Sequence, residues 1–296
     1  MHFLRYSKWF FLLSLLVILP GVYSLIRYGL RPSVDFTGGS LLEVRLPEGS
    51  ELTQAAIEPL LPADFQLATL QQSGISQYQL KGSELSNDAR QSLLLSLEEK
   101  FTSVEVLRSE TIGPTLSAEL LRKTLNAVIL AATLITCYVW YRFRDLKYGV
   151  CATLAMFHDT LVLLGSFSLL GHFFGVEADV LFVTALLTTL SFSVHDTIVV
   201  YDRIRELRKK YVKHSYREIL DAAVTETLAR SINNSVTIIL MLLSLSLLGG
   251  ATIRWFSIAL LIGAVTGTYS SPFTAVPLLG LWDNWQRRKQ LSGKSK

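Results

Sequence analysis

Two tripeptides set the chemical question. His158-Asp159-Thr160 and His195-Asp196-Thr197 repeat the same residue types, and each lies in a run otherwise almost free of charge. An ionisable side chain inside a membrane-length apolar run costs several kcal/mol unless it is paired or hydrated, so it marks a functional position by default. Asp159 falls near the middle of its run. Asp196 precedes the charged boundary at Asp202 by about 9 Å, at roughly 1.5 Å of helix rise per residue. Thr189 and Ser193 share the Asp196 side of a helix, and Thr188, Ser191 and His195 populate the adjoining strip. A hydroxyl-lined strip of this kind suits a carboxylate that takes up and releases a proton. The structural alternative has each hydroxyl bonding its own helix backbone and the aspartate capping a neighbour.

Arg230 offers a counter-charge, with Asn234 and Thr237 following on its face at helical spacing. A guanidinium beside an aspartate favours the anion while burial opposes it, which leaves a carboxylate able to change state. Arg230 reads equally well as an interfacial topology residue. His195 adds a group that titrates near pH 6.5 in its unperturbed form. His158, Asp159, His195 and Asp196 are also ligand types for a metal ion, so transport of a metal ion or small solute is a second reading. Against it, adjacent side chains on one helix are not expected to aim at one point. Ser193 with His195 and Asp196 makes a poor hydrolase triad, because residues two apart on a helix face about 200° apart.

The elements that must hold these groups are membrane spans. Half of the 296 residues are hydrophobic, only 18% are charged, and mean hydropathy is +0.38. Six runs carry the imbalance: Trp9–Ile26, Thr124–Tyr141, Tyr148–Val176, Val180–Tyr201, Ser231–Ile253 and Trp255–Trp282. Each approximates the roughly 20 residues that cross the hydrocarbon layer. The first run has no small-x-small cleavage pattern and reads as an uncleaved anchor. Basic residues cluster at 142–147, 203–217 and 287–289, whereas the links 171–179 and 249–254 hold one basic residue, Arg254. The positive-inside rule then places both termini in the cytoplasm. The clusters are topology signals at a lipid bilayer, not a nucleic-acid surface. Cys137 and Cys151 indicate no disulfide framework.

Domain organisation follows: 1–30 a cytoplasmic start and first span, 31–113 an extracytoplasmic domain, 114–282 spans two to six with a basic cytoplasmic segment near 202–230, and 283–296 a basic tail. In the outer domain Leu42, Val44 and Leu46 alternate with Glu43 and Arg45 as on a half-buried strand. Thr53–Leu61 reads as a helix, Phe65–Gln71 and Gln77–Lys81 as strands joined at Ser73-Gly74, Ser86–Phe101 as a capped helix and Val104–Ile112 as a last strand. The order βαββαβ predicts a ferredoxin-like α+β domain beside an α-helical membrane part. Gly113-Pro114 starts a helix expected to continue to Tyr141. Gly263 and Gly267 have the small-xxx-small spacing of close helix contacts, and Ser270, Ser271, Pro272 and Pro277 interrupt the last span.

With these motifs in view the chain resembles the SecD/SecF family of protein-translocase accessory subunits, on the side of its smaller, SecF-type members. Asp35-Phe36-Thr37-Gly38-Gly39 after the first span is similar to the family's DFTGG signature. The run from Asp196 through Asp202, Arg203 and Arg205 resembles its fourth-span motif, and Arg230-Ser231-Ile232-Asn233 resembles its fifth-span start. His195 stands where the family usually has Asn. The resemblance implies a bundle of the RND type in the inner membrane in which Asp196 and Arg230 take part in proton movement; His195 and Asp159, read from their own positions inside the spans, complete the proton-pathway candidates. It implies the proton gradient as energy source and no cofactor, metal or catalytic residue. Implied partners are SecD, the SecYEG channel, the translocating preprotein that the outer domain would touch, and YajC as a further candidate.

Overall fold

The computed structural model describes residues 3–293, so Met1, His2 and the last three residues of the basic tail lie outside it. Along the chain come a 3-10 turn at Phe3–Tyr6, α1 (Ser7–Arg27), α2 (Val34–Thr37), β1 (Gly39–Arg45), α3 (Gln54–Ile57), β2 (Leu67–Gly74), β3 (Gln77–Gly82), α4 (Asn87–Phe101) and β4 (Glu105–Ile112). Then follow α5 (Pro114–Phe143), α6 (Leu146–Phe174), α7 (Val180–Lys210), α8 (Tyr216–Leu248) and α9 (Ala251–Ser270), with a π turn at Ser271–Ala275 leading into α10 (Val276–Gly293). The chain divides into two compact units, one of residues 32–126 and one of 1–31 with 127–296.

The smaller unit is a four-stranded antiparallel sheet in the order β2-β3-β1-β4. With helices between β1 and β2 and between β3 and β4, this is the ferredoxin-like arrangement that the pattern predicts. Leu42, Val44, Leu80, Leu93 and Leu97 form its core, each at most 2% exposed. Ser86 caps α4 by accepting from the Ala89 N–H at 3.2 Å. Three local expectations are revised. The β2–β3 turn is at Ile75-Ser76, where Ser76 takes a positive φ of 57°, and Gly74 still pairs with Gln77. The expected helix over 53–61 is one turn of α3 followed by a 3-10 turn, because Pro59 cannot donate into a continuing α-helix. Glu43, expected on a wet face, is only 3% exposed on the central strand.

The DFTGG residues make a hinge of fixed geometry at the entry to β1. Ser33 caps the turn α2, accepting from the Asp35 N–H at 3.2 Å, while the Thr37 hydroxyl donates back to the Ser33 carbonyl at 3.0 Å. Gly38 ends the turn at φ 77° and Gly39 enters the strand at φ 115°, backbone that residues with a Cβ avoid. A Cβ on Gly39 would also run into the Gly82 carbonyl of the adjacent strand. Gly39→Ala is therefore expected to destabilise this unit by about 2 kcal/mol or more, adding unfavourable φ to overlap. Faster hydrogen exchange across β1 and β3 in the full-length protein is the measurement.

Among the described residues six helical segments are long and apolar enough to cross a membrane. Half of the α6 apolar window and 44% of those of α7 and of the last span are buried, against 6% for α5, so these three lie at the centre of the bundle. α1 crosses α6 at Gly21 and Gly165, where a Cβ on Gly165 would lie 2.6 Å from the Gly21 Cα. One turn on, Ser24 and Ser168 share a hydrogen bond of 2.7 Å. This is the close approach that small residues permit in a bilayer. The fifth apolar run ends earlier than its hydropathy suggests, at Leu248, because Gly249-Gly250 break the helix and Gly250 is the N-cap of α9. Its helix begins much earlier, at Tyr216, behind a capping box of Ser215 and Glu218. Only residues 211–215 of the basic segment are non-helical.

Candidate functional site: a polar seam through the bundle

Asp159 sits on α6 and is fully buried. Ser270, the last residue of α9, donates to its Oδ2 at 2.6 Å, and the His158 Nδ1 lies 2.9 Å from its Oδ1. The adjacent His and Asp side chains thus bond each other, which is a different arrangement from two ligands aimed at a common third point. Among the described residues no group of three His, Cys, Asp or Glu side chains converges as metal ligands would.

Asp196 is half-buried at the α7–α8 contact, where Ser231 donates to its Oδ2 at 2.6 Å. A cleft of about 260 Å³ opens there, lined by Ser191, His195, Asp196, Asn234, Ser235 and Thr268 among others. Across it the Thr268 hydroxyl donates to the Ser235 Oγ at 2.6 Å, tying α9 to α8. A carboxylate bonded on one oxygen and facing a polar cleft can exchange protons with water that enters it. A fully enclosed carboxylate such as Asp159 has no such opening.

The strip expected to accompany Asp196 splits in two. Thr189, Ser193 and Thr197 are buried against α9, while Ser191, His195 and Asp196 face the cleft. Gly263 and Gly267 make the buried contact possible: a Cβ on Gly263 would collide with the Thr189 side chain, and one on Gly267 would lie 3.3 Å from the Ser193 Cα. Arg230 is exposed, forms no ion pair among the described residues and does not line the cleft. Its chain neighbour Ser231 is the residue that reaches Asp196.

The serine pair at the end of α9, which the sequence marks only as interrupting the last span, is the main cross-helix contact missed in the sequence. Ser270 reaches Asp159 on α6. Ser271 bonds Thr197 Oγ1 on α7 at 2.9 Å and approaches the Ser193 carbonyl at 3.3 Å. The π turn that starts at Ser271 widens the helix by one residue there, as such turns do at functional positions. The available signal was two hydroxyls immediately before Pro272, inside an apolar run.

The remaining motif residues lie towards the end of α7. Asp202 pairs with Arg142 of α5 at 2.9 Å. Arg203 bridges Glu206 on its own helix and Glu226 on α8, and Arg205 is half-buried. Tyr201, fully buried nearby, packs edge-on against Phe143 and Tyr148. These contacts fasten α5, α7 and α8 together and carry no reacting group.

A split βαββαβ unit and six helices long and apolar enough to cross a membrane, two of them carrying a bonded aspartate, together define a multi-pass membrane protein. Residues 93–285 match the C-terminal region of the SecD/SecF protein export membrane proteins, and residues 23–46 match the SecD/SecF GG motif. The chain is 40% identical over 295 residues to the protein translocase subunit SecF of Thermobaculum terrenum, covering 95% of this chain and 93% of that one. It superposes on the crystal structure of SecDF from Thermus thermophilus with a TM-score of 0.81 at 32% identity, covering 96% of this chain and 39% of the SecDF chain. A SecDF structure described as a super-membrane-facing form gives 0.71 at 31% identity, covering 99% and 40%. The chain belongs to the SecD/SecF family, among its SecF subunits. It is accordingly a subunit of the Sec translocase that serves protein export, and not an enzyme.

Proposed function

We propose that this subunit couples inward proton flow to the late stages of preprotein export, in the cytoplasmic membrane and together with a SecD partner. The observation that supports the reading most is Asp196, held by a single serine bond at the mouth of a polar cleft between α7 and α8. Protonation of that carboxylate changes what Ser231 can offer it and so the contact between the two helices. One charge crossing 100 mV corresponds to about 2.3 kcal/mol, enough for one or a few protons to bias a change of shape. His195, on the cleft wall, is the group that would relay protons to it, with Asn234 beside it able to hold water by hydrogen bonds. Arg230 acts from the α8 surface, and Asp159 is the enclosed acid that holds α6 to α9.

The likeness to SecDF supports the partner: this chain superposes on 39% of that SecDF chain, and a SecD partner would supply a counterpart to the remainder. Both termini lie in the cytoplasm, with 31–113 outside, where that domain meets preproteins emerging from the SecYEG channel; YajC is a further candidate partner. The test is export into inverted vesicles carrying this chain and its partner. The chain's stimulation of export is expected to vanish when a protonophore collapses the gradient. Undiminished stimulation without a gradient would overturn the coupling.

A further inference from the structure

Within the larger unit, a second polar cleft lies where α1 and α6 end, on α6 well beyond Asp159. It encloses about 270 Å³ and is lined by Arg27, Tyr28, Gly29, Arg31, Ser168 and His172. The serine is already committed, donating to the Gly29 carbonyl at 2.7 Å and sharing a bond with Ser24. His172 stacks on Tyr28 with ring centroids 3.8 Å apart, which fixes one wall. The aliphatic stem of Arg31 passes over Gly171, where an added Cβ would sit 3.6 Å from the Arg31 Cγ, and its carbonyl accepts from the Ala178 N–H at 2.7 Å. The backbone on both sides of the cleft is therefore built, while the two guanidiniums forming it have no ion-pair partner among the described residues.

Helix C-termini account for only part of this charge. Those of α1 and α6 each present about half a negative charge, which balances roughly one arginine and leaves the second in excess. On the orientation proposed above, both arginines also lie on the face of the membrane where positive residues near short spans are disfavoured. A guanidinium is the side chain best matched to phosphate geometry. We infer that Arg27 and Arg31, with the Tyr28–His172 wall, form a binding site for a phosphate anion, supplied by the headgroup of an anionic phospholipid at this membrane surface.

The test uses the full-length protein in detergent, with dioleoylphosphatidylglycerol binding followed by native mass spectrometry. The Arg27→Gln/Arg31→Gln variant is expected to bind this lipid about tenfold more weakly, with zwitterionic dioleoylphosphatidylcholine bound weakly by both forms, as expected for juxtamembrane cations on anionic lipid. Arg27→Lys/Arg31→Lys, which keeps the charge but not the fork, is expected to lie between them. Competition by millimolar inorganic phosphate would assign the site to a free anion, and its failure to compete assigns it to the headgroup. Equal phosphatidylglycerol binding by the wild type and the Gln variant overturns the site. Should the Gln variant not fold, a photoactivatable phosphatidylglycerol on the wild-type chain decides instead: label on peptides containing 27–31 and 168–172 supports the site, and label confined elsewhere refutes it.

Discussion

Asp196→Asn is expected to abolish gradient-dependent stimulation of export while leaving membrane insertion and folding intact. The substitution is close to isosteric, and its amide oxygen can still accept the hydrogen bond that Ser231 donates at 2.6 Å. What it removes is the ability to alternate between anion and acid. An intramembrane carboxylate is retained at a cost of several kcal/mol, so a purely structural role would be served as well or better by the amide. The expected loss is therefore complete for stimulation and near zero for thermal stability. Measuring both on the same preparation separates the roles: a variant that stimulates export like the wild type eliminates Asp196 as the proton carrier, and one that melts early would make it a packing residue.

Gly263→Leu is expected to have the largest effect on stability. Thr189 is fully buried opposite Gly263, and even a single added carbon would lie 2.7 Å from its Cγ2. Overpacking of a close-packed interior costs about 1–3 kcal/mol where neighbours can shift. Here the neighbour is a β-branched side chain, stiff at χ1, on a second helix and itself fully buried. The chain is expected to lose its folded peak in fluorescence-detected chromatography. Gly267→Ala is the matched control: its Cβ would find its nearest atom at 3.3 Å, so a few tenths of an ångström of adjustment suffices. A folded Gly263→Leu protein with wild-type melting would show that α7 and α9 do not meet as described.

Much of the architecture could be read from the residues because the relevant forces act locally. The charge-free runs mark the spans, since each must exclude charge along its whole length. The alternation around Leu42 and Val44, with the Ser86 cap, marks β1 and α4. The errors arose where one local feature outweighed hydropathy: Gly249-Gly250 ends α8 although apolar residues continue, and the left-handed Ser76 makes a turn that Ser73-Gly74 seemed to offer. The site was legible in its acids and not in their partners. Asp159 and Asp196 are conspicuous because a carboxylate is costly in hydrocarbon. Ser231 and Ser270 are cheap enough there to satisfy themselves on their own backbone, so their residue type alone does not announce a cross-helix bond. Arg230 attracts attention by charge, yet its neighbour on the adjacent helix face makes the contact.

The wide turn after α9 ties the two acids together mechanically. Ser270 and Ser271 are consecutive, yet one grips the helix bearing Asp159 and the other grips Thr197, the residue next to Asp196. A slip of either helix along its axis by one residue, about 1.5 Å, would stretch one of these short bonds past its useful range. The turn thus works as a rivet through three helices, its consecutive hydroxyls gripping the two that carry the carboxylates.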